Sequence, residues 1–563
     1  MMTSQSQLPA MSLLMLGAVL LIASSADAAP AGDNILASVR QFADNVLTHG
    51  RDVYGPKHTP LFVDGLNVDT HEPATWLTDD ESWIMSNLAS QQNLFRVLVG
   101  LTNLTGDPKY RGAAVEALEY AFAHLQHKEG LLDWGGHRVY DAAGEKAVGE
   151  GYRHELKSHY PFYELMWAVN PSATKRFIEE FWNAHILQWD ILDMNRHGAY
   201  EAPRGDLWEN EYVGGPVPFI GKGLTFMNTG SDLFYAGAWL SKLSGEQASL
   251  VWAKRLARRY VEIRSPKTGL GGTQYSRIEK DRGMAQFGPE FGERLMDPTI
   301  LDSGKSGSRY GTAAMVQLRL GEMLAGDGEE LLQWAHEDLT AYGKWAYDDS
   351  DNSLWPMISD GTRLKPSDVK REGYYSASAL AKFNAGLRFF CTYATAYRLT
   401  GDPFMWRMAR GIAGGNGLGE MGSEPGVPGE LDVDTSCADV YALFGLLELH
   451  RATGNARFLE AANKIGRNLL TAQSHHGFFV SSKDHLFAKF DSRTPLALLH
   501  LIAAQRGTPE AVPVYYGGGS YFHCPFKGMG RTYDGTAIYA RKRGYEIQKY
   551  SFHVRVRLVR LVT

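Results

Sequence analysis

Apolar residues along the chain recur at the three- and four-residue spacing of amphipathic helices, in paired stretches separated by very short polar turns. The turns resemble one another. Leu104-Thr105-Gly106-Asp107-Pro108 returns as Leu399-Thr400-Gly401-Asp402-Pro403, and Ala452-Thr453-Gly454-Asn455 is a variant. Glycine suits the left-handed position that ends one helix, aspartate or asparagine caps the next, and proline fits its first turn. Asn170-Pro171, Ser244-Gly245-Glu246 and Ala325-Gly326-Asp327-Gly328 read as similar turns. From Gly106 to Gly454 the turns stand about 50–80 residues apart, the period of a repeated helical hairpin with insertions. About six or seven such hairpins predict an all-α protein, an α/α toroid whose inner helices converge while long loops line a cleft at one end. An open helical solenoid is the competing arrangement, but loops rich in glycine and aromatic residues fit a cleft better than a connector. Residues 29–510 would make the toroid. Residues 511–563 are glycine-rich and end in the alternating run Phe552-His553-Val554-Arg555-Val556-Arg557-Leu558, which predicts a small β segment packed on it.

The amino-terminal stretch changes the picture of where the chain works. An apolar run from Met11 to Ala23 leads to Ala26-Asp27-Ala28, the signature of a signal peptide cut after Ala28, although no Lys or Arg precedes the run. A membrane span needs about 20 apolar residues, so this run is too short, and no second one follows. The expected destination is secreted or periplasmic, with no membrane attachment after cleavage. Composition adds an exclusion. The net charge is −6 and no basic run marks a nucleic-acid footprint, so an acidic ligand has to be met by a local cluster of Arg and Lys. The three cysteines permit one bridge but no disulfide framework.

Chemistry-bearing residues concentrate between Leu131 and Tyr212. Trp134-Gly135-Gly136-His137 is followed by Tyr152-Arg153-His154-Glu155-Leu156-Lys157-Ser158-His159-Tyr160, and then by Asp193-Met194-Asn195-Arg196-His197-Gly198. His, Glu and His drawn from three segments can hold a divalent metal, and imidazoles mixed with a carboxylate suit manganese better than calcium, which prefers oxygen alone. Glu155 and His159 are four residues apart and would share a helix face, so His159 competes with His137 and His197 as a ligand. Gly198 would let the backbone bend so that Arg196 and His197 face one site. Further on, Gln286 to Ser308 is polar, and Arg294 and Lys305 there are candidate substrate contacts on a loop at the same cleft.

This arrangement is similar to that of the family 2 polysaccharide lyases, pectate lyases built as α/α toroids. The resemblance is specific over about 80 residues: His137, Glu155 eighteen residues later, and the pair Arg196-His197 with its histidine forty-two residues after Glu155. It implies His137, Glu155 and His197 as metal ligands, manganese first and calcium or another divalent ion second, and Arg196 as the base. It also implies an acidic polysaccharide or oligosaccharide substrate, polygalacturonate or pectate foremost, cleaved by β-elimination. That reaction removes the proton alpha to a uronate carboxylate and expels the 4-oxygen. It needs positive charge where the intermediate's charge develops, and a base within about 3 Å of the proton. Arginine is an awkward base, since its free pKa lies above 12. Tyr152, Lys157, Tyr160 and Tyr200 are the local rivals, Lys157 and Tyr200 also standing as substrate contacts. If none is the base, Arg196 remains a fork for the substrate carboxylate. Two other functions compete. A toroidal glycoside hydrolase would need two carboxyls at defined separation, with Glu209, Asp232, Asp302 and Asp434 as candidates. A non-catalytic glycan-binding protein would need none of this constellation.

Overall fold

The computed structural model describes residues 31–427, 429–547 and 558–560. The expected signal peptide and residues 552–557 of the expected strand lie outside the described residues. Six helical hairpins follow one another: Gln92–Thr105 with Pro108–His124, Tyr163–Val169 with Pro171–His185, Met227–Ser244 with Gln247–Glu262, Ala314–Leu324 with Glu329–Ala346, Leu387–Thr400 with Pro403–Gly415, and Val440–Thr453 with Ala456–Gln473. A seventh pair is made from the two ends of the ring. Arg493–Gln505 is its inner helix, and the first described helix, Ala31–His49, packs outside it. Arg493–Gln505 also packs on Gln92–Thr105, the first inner helix, so the ring is closed. The architecture is an α/α toroid.

The short turns explain why each pair folds back. Gly106, Gly245, Gly401 and Gly454 all end their helices in the left-handed region, at φ between 67° and 78°. Asp107, Asp402 and Asn455 then cap the following helix by accepting a backbone N–H two residues on. The residue before each glycine takes part as well. The hydroxyls of Thr105, Ser244, Thr400 and Thr453 donate to the carbonyl four residues back and accept the N–H two residues ahead. One hydroxyl thus closes the old helix and opens the new one. The turn at Ala325–Gly328 departs from this pattern: it is a short 3-10 turn entered through Ala325 at φ 52°.

These turns sit at one end of the ring, and the outer-to-inner connections make the other. Two segments follow less regular paths. After Gln505 the chain runs back along the axis of the toroid. The Ala511 carbonyl accepts from Asn103 in the last turn of the first inner helix, and the Pro513 carbonyl meets His500 at 3.1 Å. Tyr515 then stacks on Phe444, Tyr516 packs edge-on against Tyr235, and the Gly518 carbonyl accepts from Arg493 at the opposite end. Val512 to Gly518 therefore lie among the inner helices and run from the turn end to the cleft end, beside a cavity of about 570 Å³ lined by Met315, Arg319, Phe444, Glu448 and His500. Beyond it, the hairpin His523–Phe526 with Gly530–Tyr533 docks on a four-stranded antiparallel sheet of Thr75–Leu77, Ser82–Ser86, Arg138–Asp141 and Lys146–Gly149. Trp76, Val139, Phe522, Cys524 and Ile538 form a second small core between them. Leu558–Arg560 pair antiparallel with Tyr545–Ile547. A third core of Phe287, Phe291, Ile300, Ile358 and Tyr375 supports the loops around residues 282–380. All three cysteines are free thiols.

The turn chemistry carries a test. Asn455→Ala removes one cap and should cost about 1 kcal/mol of stability, read as a lowered denaturation midpoint; no change would show that the cap contributes nothing in this ring.

Candidate active site

Three loops at the cleft end bring the chemistry together. His137 follows the Gly135-Gly136 pair, and both glycines are sterically required: a Cβ on Gly135 would sit 2.5 Å from the Glu155 carbonyl, and one on Gly136 2.6 Å from the Glu155 carboxylate. The stretch from His154 to Tyr160 is not helical. Asp232, on the third inner helix, gathers it by accepting the backbone N–H groups of Ser158, His159 and Tyr160, which leaves Ser158 and Tyr160 at positive φ. Burial pushes the Asp232 carboxyl up to about 7, against those three donors. The third loop, carrying Arg196 and His197, is tied to the second by paired bonds between His154 and Gly198.

Glu155 stands at the centre and is buried. Its Oε2 lies 3.0 Å from His137 Nε2 and accepts the Tyr521 hydroxyl at 2.8 Å. Its Oε1 faces His197 Nε2 at 3.6 Å, Arg196 Nε at 3.7 Å and Lys157 Nζ at 3.8 Å. Ligand atoms of His137, Glu155 and His197 all lie within 4.8 Å of one another. Burial alone would raise the Glu155 carboxyl, but the hydrogen bond with His137 and the charges of Lys157 and His197 outweigh it and hold it well below the usual carboxylate range. His197 is drawn down to about 3 by burial, with Arg196 and His137 adding to the effect against the attraction of Glu155.

Behind these groups runs a fixed chain of imidazoles. His185 Nδ1 lies 2.8 Å from the Asn195 carbonyl, which can only accept, so that nitrogen carries the proton. His185 Nε2 then accepts from His154 Nδ1 at 3.0 Å. Residues next to Glu155 and next to Arg196 are thereby held to a common support. Gly198 serves this contact, since a Cβ there would lie 2.7 Å from His185 Nε2; the requirement is close approach and not the expected bend.

The other expected positions separate. His159 does not share a face with Glu155, because no helix forms there; its Nδ1 accepts the Lys157 N–H at 2.8 Å. Tyr200 is buried, its hydroxyl donating to the Trp134 carbonyl and Arg138 lying over its ring, so it belongs to the floor and not to the open cleft. Tyr160 is buried too, with its hydroxyl on Ser231, and Tyr152 is largely exposed. Arg294 pairs with Asp360 on an exposed loop. Lys305 donates to Tyr375 and to the Asp297 carbonyl, and burial lowers it to about 8 against the pull of Asp302 and Asp297. Beside it Arg282 lies 3.5 Å over the ring of Tyr374. The half-exposed Arg196 guanidinium lies 5.6 Å from the centre of the Phe226 ring. Of the hydrolase candidates, Asp232 is consumed by backbone amides and Asp302 caps a short helix through the Lys305 N–H.

Tyr521 and His523 were not among the expected residues. They arrive on the stretch that leaves the ring axis. Besides the Tyr521 bond to Glu155, the His523 carbonyl accepts from His137 Nδ1 at 2.7 Å. Tyr533 stacks on the His523 ring at 4.1 Å, and beyond Tyr521 and Tyr533 opens a hollow of about 490 Å³ that also touches Lys489 and Arg493. No local signal marks these residues, because their partners lie more than 360 positions away in the chain.

Ring and cleft define a toroidal enzyme, and the densest donor cluster at its cleft is a carboxylate set between two imidazoles and two cations. The chain belongs to the periplasmic pectate lyase family, which matches it over residues 59–525. It is a polysaccharide lyase, and the family's periplasmic description agrees with the destination expected from the amino-terminal sequence. It is 31% identical over 552 residues to the pectate disaccharide-lyase of Dickeya dadantii (strain 3937), covering 91% of this chain and 97% of that one. Among solved structures it is similar to the cellobiose 2-epimerase of Bacillus thermoamylovorans B4167, at 11% identity and a TM-score of 0.41, covering 84% of this chain and all of that one. It is also similar to a GH76 α-mannanase of Bacteroides thetaiotaomicron, at 9% identity and a TM-score of 0.40, covering 84% of this chain and 96% of that one. At those scores the likeness adds nothing to the architecture already described.

Because Tyr521 donates directly to the central carboxylate, Tyr521→Phe should lower lyase turnover about 10-fold while leaving the thermal midpoint within a degree or so of the parent. Unchanged turnover would show that the hydroxyl does not tune Glu155.

Proposed function

We propose that the protein cleaves pectate or polygalacturonate by metal-assisted β-elimination, with His137, Glu155 and His197 as the metal ligands. The observation that supports this most is the convergence of those three side chains at the cleft. Their donor chemistry fits a divalent ion. His137 Nδ1 donates to the His523 carbonyl, which leaves Nε2 as the nitrogen that faces the Glu155 carboxylate. His197 Nε2 is buried without a hydrogen-bond partner. A set of two imidazoles and one carboxylate favours manganese over calcium. When bound, the ion supplies positive charge at the uronate carboxylate, where negative charge develops as the alpha proton leaves.

The chain's own residues do the rest. Arg196 is 41% exposed and lies in the cleft beside Glu155, where in its deprotonated form it would take the alpha proton and in its charged form it grips the substrate carboxylate with its planar fork. Lys157 is the second cation facing the same place. With Tyr160 and Tyr200 closed off by burial, Arg196, Lys157 and the exposed Tyr152 are the remaining groups for proton abstraction. Tyr374, Arg282 and Lys305 form one wall, to which neighbouring uronate carboxylates bind, and Tyr533 offers a ring face on the other. The product is an unsaturated disaccharide; the Dickeya relative, aligned over nearly its whole length, carries that activity in its name.

Two experiments test this reading. Dialysis against a chelator should abolish formation of the ultraviolet-absorbing unsaturated product, and manganese should restore it; activity that survives complete chelation would refute the metal's role. Arg196→Lys keeps the charge and loses the fork, so turnover on polygalacturonate should fall at least about 100-fold with metal content unchanged. A raised KM with kcat intact would reduce Arg196 to a steering residue. In both cases product sizes at early times report whether disaccharide is released from the outset.

A further inference from the structure

We propose a second divalent-metal site where the ring closes, formed by Asp69, His475 and His476. His475 and His476 follow the last residue of the sixth outer helix, Asp69 and His71 sit on the loop after the strand Gly65–Asn67, and His49 ends the first described helix.

The geometry is that of a donor cluster. Ligand atoms of Asp69, His475 and His476 all lie within 4.8 Å of one another, and His476 Nδ1 is 2.9 Å from Asp69 Oδ1. Neighbouring residues in a strand point to opposite faces. Here they do not: His476 leaves the strand Ser474–His475 at φ 49°, and its ring stacks on that of His475 with centroids 3.9 Å apart. Both imidazoles are thus presented to one side. His475 Nε2 is buried and has no hydrogen-bond partner. His71, also at positive φ, stacks on His49 at 4.1 Å.

Arg543 closes the back of the cluster. It makes three bonds to the Asp69 carboxylate, at 3.0, 2.7 and 2.6 Å, and so fixes its orientation as an outer partner of a metal ligand does. The same cation repels an incoming ion, so this site is weaker than the Glu155 centre. Imidazole with carboxylate selects zinc, nickel or copper over magnesium or calcium. An ion held here ties residues from the two ends of the described chain, separated by more than 400 positions, and only the closed ring assembles its ligands. Such an ion stabilises the folded state by mass action.

The test uses the full mature chain and Zn2+ alone. Bound zinc is counted after equilibrium dialysis for the parent, for the double variant His475→Ala/His476→Ala, and for Glu155→Gln. The double variant should hold one zinc fewer than the parent, keep lyase turnover within about twofold, and lose a zinc-dependent rise in thermal midpoint of about 1–3 °C. Glu155→Gln should keep that rise. Equal zinc content and an equal rise in the double variant and the parent would overturn the proposal, as would a parent whose midpoint zinc does not move. Because the two sites are emptied separately, failure of one assignment is distinguishable from failure of the other.

Discussion

A carboxylate taken out of water has to be met by donors or cations, or it takes up a proton. Glu155 is almost wholly buried, and the surrounding architecture answers that demand from four separate parts of the chain. His137 comes from the loop after the first hairpin, Lys157 from its own strand of loop, Arg196 and His197 from the loop after the second hairpin, and Tyr521 from the stretch beyond the ring axis. Each is held by something behind it. Asp232 grips the backbone beneath Lys157, the His154–His185 pair links the second loop to the third, and the His523 carbonyl fixes His137. Small changes at these supports act on the reaction through Glu155 without touching substrate.

The ring supplies the rigidity this requires. Seven inner helices converge, and a bundle of that size leaves an axial space. The stretch from Val512 to Gly518 occupies part of it, with Tyr515 and Tyr516 packed on the inner helices. One segment thus runs along the axis and delivers Tyr521 and His523 to the cleft. The energetics of the core and the geometry of the site are joined at Gly518, where a Cβ would press within 2.8 Å of both the Ser158 carbonyl and the Tyr160 ring.

Much of this was legible in the sequence wherever the cause is local. The Thr-Gly-Asp turns need only five consecutive residues, and their spacing announces repeated hairpins and hence the toroid. Gly135-Gly136-His137, Glu155 and Arg196-His197 stand out because glycine-flanked histidines cluster in one short region. What was not legible depends on distant partners. The face shared by Glu155 and His159 assumed a helix, and Asp232, more than 70 residues on, imposes an irregular loop instead. Tyr200 looks like any cleft tyrosine until Arg138 and the Trp134 carbonyl are seen to enclose it. The glycine-rich stretch after Val514 looks like a surface appendage, although its glycines are what let a backbone pass between helices.

The axial path also constrains biosynthesis. A ribosome finishes all seven pairs of helices before it makes the residues that run up their middle. A nascent chain halted at Gln505 would possess every hairpin and an open bore, yet have neither Tyr521 nor the carbonyl that orients His137. The cluster around Glu155 is therefore complete only when the final stretch lies along the axis.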